Sequence, residues 1–126
     1  MWKEAGVVVD LEGRPVFWHV PSGSTVTGLP DSRALWDVLW ASRDRIAGFA
    51  HTHPGAGAPS PSATDVTTFE AIEAGLGRRL DWWIASEDSL VVVRWAGPEG
   101  LAYRRFTIDC INEPAWADEL RRTSRR

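Results

Sequence analysis

Apolar residues follow two different rhythms along the chain. Val7-Val8-Val9 is an unbroken apolar triplet, the pattern of a buried strand, and Asp10-Leu11-Glu12-Gly13 supplies residues that reverse the chain. Val16-Phe17-Trp18-His19-Val20 is the expected returning strand. The segment from Pro21 to Pro30 is rich in Gly, Ser, Thr and Pro and predicts a loop. Asp31 or Ser32 then offers a cap for a helix on which Leu35, Trp36, Leu39 and Trp40 recur at the helical period. Ile46 to His53 predicts a central strand stopped by Pro54. After a loop of Pro, Gly, Ala and Ser, Ser62 and Asp65 resemble a capping box opening a second helix. Its core side would carry Phe69, Ile72 and Leu76, with Gly75 and Gly77 favouring its end. Leu80 to Ala85, Leu90 to Ala96 and Leu101 to Ile108 predict three further strands. Asn112, followed by Pro114, predicts a last short helix through Leu120. These elements give an α+β or α/β fold: a mixed β-sheet flanked by helices.

Composition narrows the class. The 126 residues suffice for one domain and one core, and 44% apolar with 25% charged residues is the balance of a globular protein. The eight tryptophans are expected mostly as core filling, with Trp2, Trp83 or Trp116 as alternatives for a partner-binding face. The longest stretch free of Asp, Glu, Lys and Arg begins at Ile46; it holds two histidines and is broken by Pro54, Pro59 and Pro61, so no membrane span is expected. Nothing at the start resembles a signal peptide. The single cysteine, Cys110, cannot form an internal disulfide or a zinc–thiolate cluster, which fits a reducing, cytoplasmic setting, and it is expected to be a buried structural thiol.

Charge is unevenly placed. Arg121, Arg122, Arg125 and Arg126 supply four of the 14 basic residues, leaving ten against 17 acidic ones, a net −7, in the body. Such a body repels phosphates, so no nucleic-acid partner is expected. The organisation expected is one domain over residues 1–120 and a solvated, frayed basic tail over 121–126.

The chemistry concentrates in His51-Thr52-His53, which holds two of the three histidines. Residues i and i+2 of a strand share a face, so both imidazoles can reach one point at the strand end while Thr52 turns away. Asp65, in the first turn of the next helix, is near enough in sequence for the loop to bring it back. Two His and a carboxylate make a three-ligand set, and catalytic zinc keeps its fourth position for water. The plainer reading is a strand-end His pair and an Asp that serves only as a helix cap. His19 reads as a satisfied sheet histidine.

His51-Thr52-His53-Pro54, seven residues, then Ser62-Ala63-Thr64-Asp65 resembles the H-x-H-P-x7-S-x-x-D signature of the JAMM (JAB/MPN+) metalloproteases. That family also uses a glutamate at the start of its first strand, and Glu4 stands there; Glu12, in a Leu-Glu-Gly turn, is its weaker competitor. The resemblance implies a cytidine-deaminase-like JAB/MPN fold and one Zn²⁺ per chain, bound by His51, His53 and Asp65. It implies that Glu4 activates the zinc-held water and passes its proton to the leaving amine. Ser62 would donate to the oxyanion, act as the helix cap, or do both. H-x-H-x-D-H hydrolases and amidohydrolase barrels are excluded by the residues after His53, the histidine count and the length.

JAMM enzymes cut peptide or isopeptide bonds after the C-terminal Gly-Gly of ubiquitin or ubiquitin-like proteins. The resemblance therefore implies a ubiquitin-like protein or its conjugate as partner, with an activating or conjugating enzyme alongside. The connections at Pro21 to Pro30 and Gly97 to Gly100 are too short for the insertions of linkage-selective deubiquitinases, which implies a compact prokaryotic type. Members usually carry a helix ahead of the glutamate, whereas Met1, Trp2 and Lys3 precede Glu4 here. The alternative is a non-catalytic MPN-type scaffold, although such relatives have usually lost ligand residues.

Overall fold

Among the described residues, six strands form one mixed sheet in the order β2-β1-β3-β4-β5-β6. The computed structural model describes residues 2–98 and 102–126. Its strands are β1 (Gly6–Asp10), β2 (Pro15–His19), β3 (Ile46–Thr52), β4 (Asp81–Ala85), β5 (Leu90–Trp95) and β6 (Tyr103–Ile108), and its helices are α1 (Arg33–Ala41), α2 (Ala63–Leu76) and α3 (Ala115–Arg125). Only β3 and β4 run parallel, as expected of two strands joined through a helix, here α2; every other pair is antiparallel. The start expected for the last strand at Leu101, and part of the Gly97 to Gly100 connection, lie outside the described residues.

The sheet separates two cores. On one face Leu35 and Leu39 of α1 and Phe69 and Leu76 of α2 pack on Val8, Phe49, Trp82, Ile84, Val91 and Val93. On the other, Trp116, Ala117 and Leu120 of α3 pack on Val7, Val9, Ala50, Ala85 and Leu90. Val7, Val8 and Val9 are each at most 1% exposed, because helices cover both faces of β1. Gly6 is fixed by packing: a Cβ there would overlap the Phe49 ring.

The caps follow the sequence closely, with corrections. Ser32 caps α1 by accepting from the Leu35 N–H at 3.0 Å, and Gly77 ends α2 in the left-handed region at φ 73°. Gly75 does not end α2. It lies inside the helix, where the Trp36 ring would sit 2.9 Å from an added Cβ. Leu35 and Leu39 are buried, but Trp36 and Trp40 are 40% and 47% exposed, so the outward tryptophans are on α1 while Trp116 is buried. The last helix starts after Pro114 instead of Asn112, which ends a 3-10 turn over Cys110–Asn112, and it continues past Leu120 to Arg125.

Two residues of the expected tail are consequently buried. Arg121 donates to the Ser86 and Ser89 carbonyls at 2.8 and 3.0 Å and pairs with Glu113 at 2.7 Å and Asp118 at 2.9 Å. Ser124 Oγ lies 2.8 Å from Thr52 Oγ1 on β3. Cys110 is exposed, contrary to a buried thiol, because the 3-10 turn presents no buried residue. Among the described residues, no helix is long and apolar enough to cross a membrane.

Candidate metal centre

Three donor atoms converge at the end of β3. The alternation of β3 sends Phe49, His51 and His53 to the α2 face and Ala50 and Thr52 to the α3 face. His53 stands one residue beyond the strand, yet its N–H still donates to the Ala85 carbonyl at 2.9 Å, so the alternation holds until Pro54. At the start of α2 the Ser62 hydroxyl accepts from the Asp65 N–H at 3.0 Å, and Asp65 Oδ2 accepts from the Ser62 N–H at 2.9 Å. This capping box turns the Asp65 carboxylate back toward the strand end. Asp65 Oδ2 lies 3.0 Å from His53 Nε2 and 3.4 Å from His51 Nε2, and the two Nε2 atoms are 3.1 Å apart.

Those separations suit one cation. Metal bonds of about 2.0–2.1 Å in a tetrahedron put neighbouring ligand atoms about 3.3 Å apart. His51, His53 and Asp65 therefore form a group that could hold a metal ion, and the sequence had singled out each of them.

Glu4 stands beside this group. It precedes β1 on the face of Gly6 and Val8, and its backbone N–H donates to the Thr25 carbonyl at 2.8 Å. Next to it, the Ala5 N–H donates to Thr52 Oγ1 at 3.0 Å, and the Thr52 N–H to the Ala5 carbonyl at 3.1 Å. The Glu4 side chain is buried and lines a cavity of about 710 Å³ that His51, Ser62 and Asp65 also border. Burial pushes its carboxyl up to about 7; nearby His53 charge opposes the rise and Asp65 adds to it. A carboxyl so placed can take and return a proton near neutral pH. Burial alone would raise Asp65, but hydrogen bonds from His51, His53 and the Ser62 backbone hold it well below the usual carboxylate range. For His53 burial opposes protonation, and the hydrogen bond and charge of Asp65, with the charge of Glu4, outweigh it, so its pKa rises.

Ser62 caps α2 through an oxygen lone pair, which leaves its own proton free to donate into the cavity it lines. His19 is 3% exposed and its Nε2 donates to the Pro30 carbonyl at 2.6 Å; it borders the cavity outside the ligand group, satisfied as expected. Glu12 lies exposed in the turn at the opposite end of β1, ion-paired with Arg14.

Two supports were not foreseen. The loop over residues 54–61, between the histidines and Asp65, is held from outside. Gly57 donates to Asp88 at 2.7 Å and accepts from Ser86 Oγ at 2.7 Å, while Arg105 Nη1 reaches the Ala58 and Pro59 carbonyls, each at 3.0 Å. Buried Glu73 on α2 accepts from the Leu80 N–H, Trp82 Nε1 and Arg79, each at 2.9 Å, and from the Tyr103 hydroxyl. This fixes the Trp82 ring stacked on Phe69 at 4.4 Å beneath the cavity. A glutamate on the apolar side of a predicted helix, between Ile72 and Leu76, was the available signal.

Fold and site together define an α+β protein with a candidate three-ligand metal centre beside a buried glutamate. No family model matches the chain, and no curated protein matches it.

Proposed function

We propose that the protein is a zinc-dependent peptidase of the JAMM type, built on a JAB/MPN fold, that cuts the amide bond after the C-terminal Gly-Gly of a ubiquitin-like protein in a cytoplasmic setting. The observation that carries this reading is the convergence of His51 Nε2, His53 Nε2 and Asp65 Oδ2 within 3.0–3.4 Å of one another, at the edge of the cavity that His51, Asp65 and buried Glu4 line. Nitrogen and carboxylate donors in a set of three suit zinc with an open position. Zinc bound there supplies Lewis-acid polarisation of the scissile carbonyl and a lowered pKa for water.

The chain's own groups do the rest. His51 on β3, His53 just beyond it with its N–H bonded to the Ala85 carbonyl, and Asp65, held by its capping box, bind the ion. Glu4 takes a proton from the attacking water on its carboxylate and delivers it to the leaving nitrogen. Ser62 donates its free hydroxyl proton to the oxygen that gains charge. A glycine tail suits the approach to these groups because it brings no side chain past them.

Elemental analysis of chelator-free protein tests the reading, followed by a panel of Gly-Gly-tailed ubiquitin-like substrates. About one zinc per chain, lost in His53→Ala, is expected, with tail cleavage by wild type and none by Glu4→Gln. Wild type that stays zinc-free after zinc is resupplied, or zinc-loaded protein that cuts none of the panel, would overturn it.

A further inference from the structure

The eight residues from Pro54 to Pro61 join His53 to the cap of α2, so their course sets how Asp65 meets the histidines. Packing gives this loop little hold, because only Pro59 and Pro61 are half-buried and the other six are exposed. Among the described residues, its hydrogen bonds run outward. The turn between β4 and β5 takes its first half: the Glu87 N–H donates to the Gly55 carbonyl at 2.9 Å, and Ser86 and Asp88 hold Gly57. Arg105 takes the next three residues. Its Nη1 donates to the Ala58 and Pro59 carbonyls, each at 3.0 Å, and to Ser60 Oγ at 2.8 Å. Arg105 reaches the loop from the edge of the sheet. β6 is three places from β3, about 14 Å at strand spacings of about 4.8 Å, and Arg105, opposite Val93, projects on the α2 face with Tyr103. The residue is exposed and belongs to neither core. Among the described residues its guanidinium has no carboxylate within ion-pair distance; one nitrogen serves three neutral oxygens of a single loop instead.

We infer that Arg105 is a positioning residue for the metal centre: by clamping the loop it fixes the capping box that turns Asp65 toward His51 and His53. The inference rests on the metal-centre part of the peptidase reading and extends it to an edge strand. The physical effect is preorganisation. With the loop held, the backbone between His53 and Asp65 is ordered before an ion arrives, and its entropy is not lost on binding. With the clamp gone, residues 58–60 are released and Asp65 meets the histidines in a smaller share of the molecules, which weakens metal binding by that fraction. All three oxygens are served by one nitrogen, so a lysine ammonium, with three donors on one atom, suits them too.

Zinc affinity of the full chain, read by competition with a chromogenic chelator, tests this without turnover, so the outcome does not depend on whether any peptide is cut. Arg105→Met keeps the aliphatic stem and removes the donors. It is expected to weaken zinc binding roughly 10-fold, the lower end of the range for groups that support metal ligands. In an Asp65→Ala background the same substitution should cost nothing further, because the ligand it positions is gone. Arg105→Lys should recover most of the affinity, and Arg94→Met, which breaks the bond to Asp81 on the neighbouring strands, should leave it unchanged. In metal-free protein the Ser62 and Asp65 amides, both bonded within the capping box, should exchange faster with solvent in Arg105→Met. Unchanged zinc affinity in Arg105→Met, or an equal loss in the Asp65→Ala background, would overturn the inference. Wild type that binds no zinc would defeat the metal reading; faster exchange of those two amides in Arg105→Met would then still sustain the clamp on the capping box, and unchanged exchange would overturn it.

Discussion

The two faces of β3 contrast within seven residues. Toward α3, Ala50 and Thr52 are 0% exposed; Ala50 packs in the cluster of Trp116, Ala117 and Leu120, and the Thr52 hydroxyl is hydrogen-bonded to Ala5 and Ser124. Toward α2, Phe49 and His51 border an open cavity, and His51 and His53 present nitrogen donors to a carboxylate. One face is filled and satisfied; the other keeps volume and reactive groups unfilled.

Breaking the open face should have the largest effect. Ser62→Ala removes the cap of α2 and, on the peptidase reading, the oxyanion donor. Loss of the oxyanion donor is expected to lower kcat by roughly 10²–10³, a barrier rise of roughly 2.7–4 kcal/mol. Loss of the cap should cost about 1 kcal/mol of stability. Ser62→Asn keeps a good cap, so comparing denaturation midpoints of the two variants with their kcat separates the roles. If Ser62→Ala loses stability but keeps kcat, the hydroxyl is a cap alone.

The open face should also carry a cost in stability, which Glu4 makes measurable. Its pKa is raised from 4.5 to about 7 by burial. Below pH 4.5 the carboxyl is protonated in folded and unfolded chains alike. Between 4.5 and about 7 the folded chain keeps a proton that the unfolded chain has released, so stability falls as pH rises through that window. Above it the full penalty applies, at most about 3 kcal/mol. Glu4→Gln cannot ionise. In chelated protein it should therefore be more stable than wild type at pH 8 by up to that amount and indistinguishable near pH 4, as read from urea midpoints. Equal stability at pH 8 would mean that the cavity solvates Glu4 well.

What the sequence revealed of this contrast was local. The His pair needed only the strand period, and Asp65 and Ser62 only the spacing of a capping box. Glu4 was singled out only through the family resemblance, by its place at the start of the first strand. Partners distant along the chain were not legible. Glu73 joins Leu80 and Trp82, at the start of β4, to Tyr103 on β6, and Arg121 is buried because Ser86, Ser89 and Glu113 meet it from another side of the fold. Trp36 and Trp40 shared the helical stripe with Leu35 and Leu39, yet α1 turns only its leucine row to the sheet. Periodicity tells which residues share a face, and tertiary packing decides how wide a face is covered.

The smallest effect sharpens the comparison most, because it asks whether the packed face does more than fill space. Thr52→Val preserves shape and removes one hydroxyl. It leaves the Ala5 N–H, in a residue 1% exposed, and Ser124 Oγ without their partner. The unsatisfied Ala5 donor is expected to cost about 1–3 kcal/mol. Lys3, Glu4 and Ala5 are held by successive bonds to Ser124, Thr25 and Thr52, so loss of the third loosens one side of Glu4. Zinc content should stay the same, since none of the three ligands is altered, while kcat falls several-fold and the amides of residues 3–5 exchange faster with solvent. Thr52→Ser, which restores the hydroxyl, should recover both kcat and protection. Faster exchange with unchanged kcat would mean that Glu4 is positioned from the cavity side alone, and that the packed face lends stability without setting the geometry of the open one.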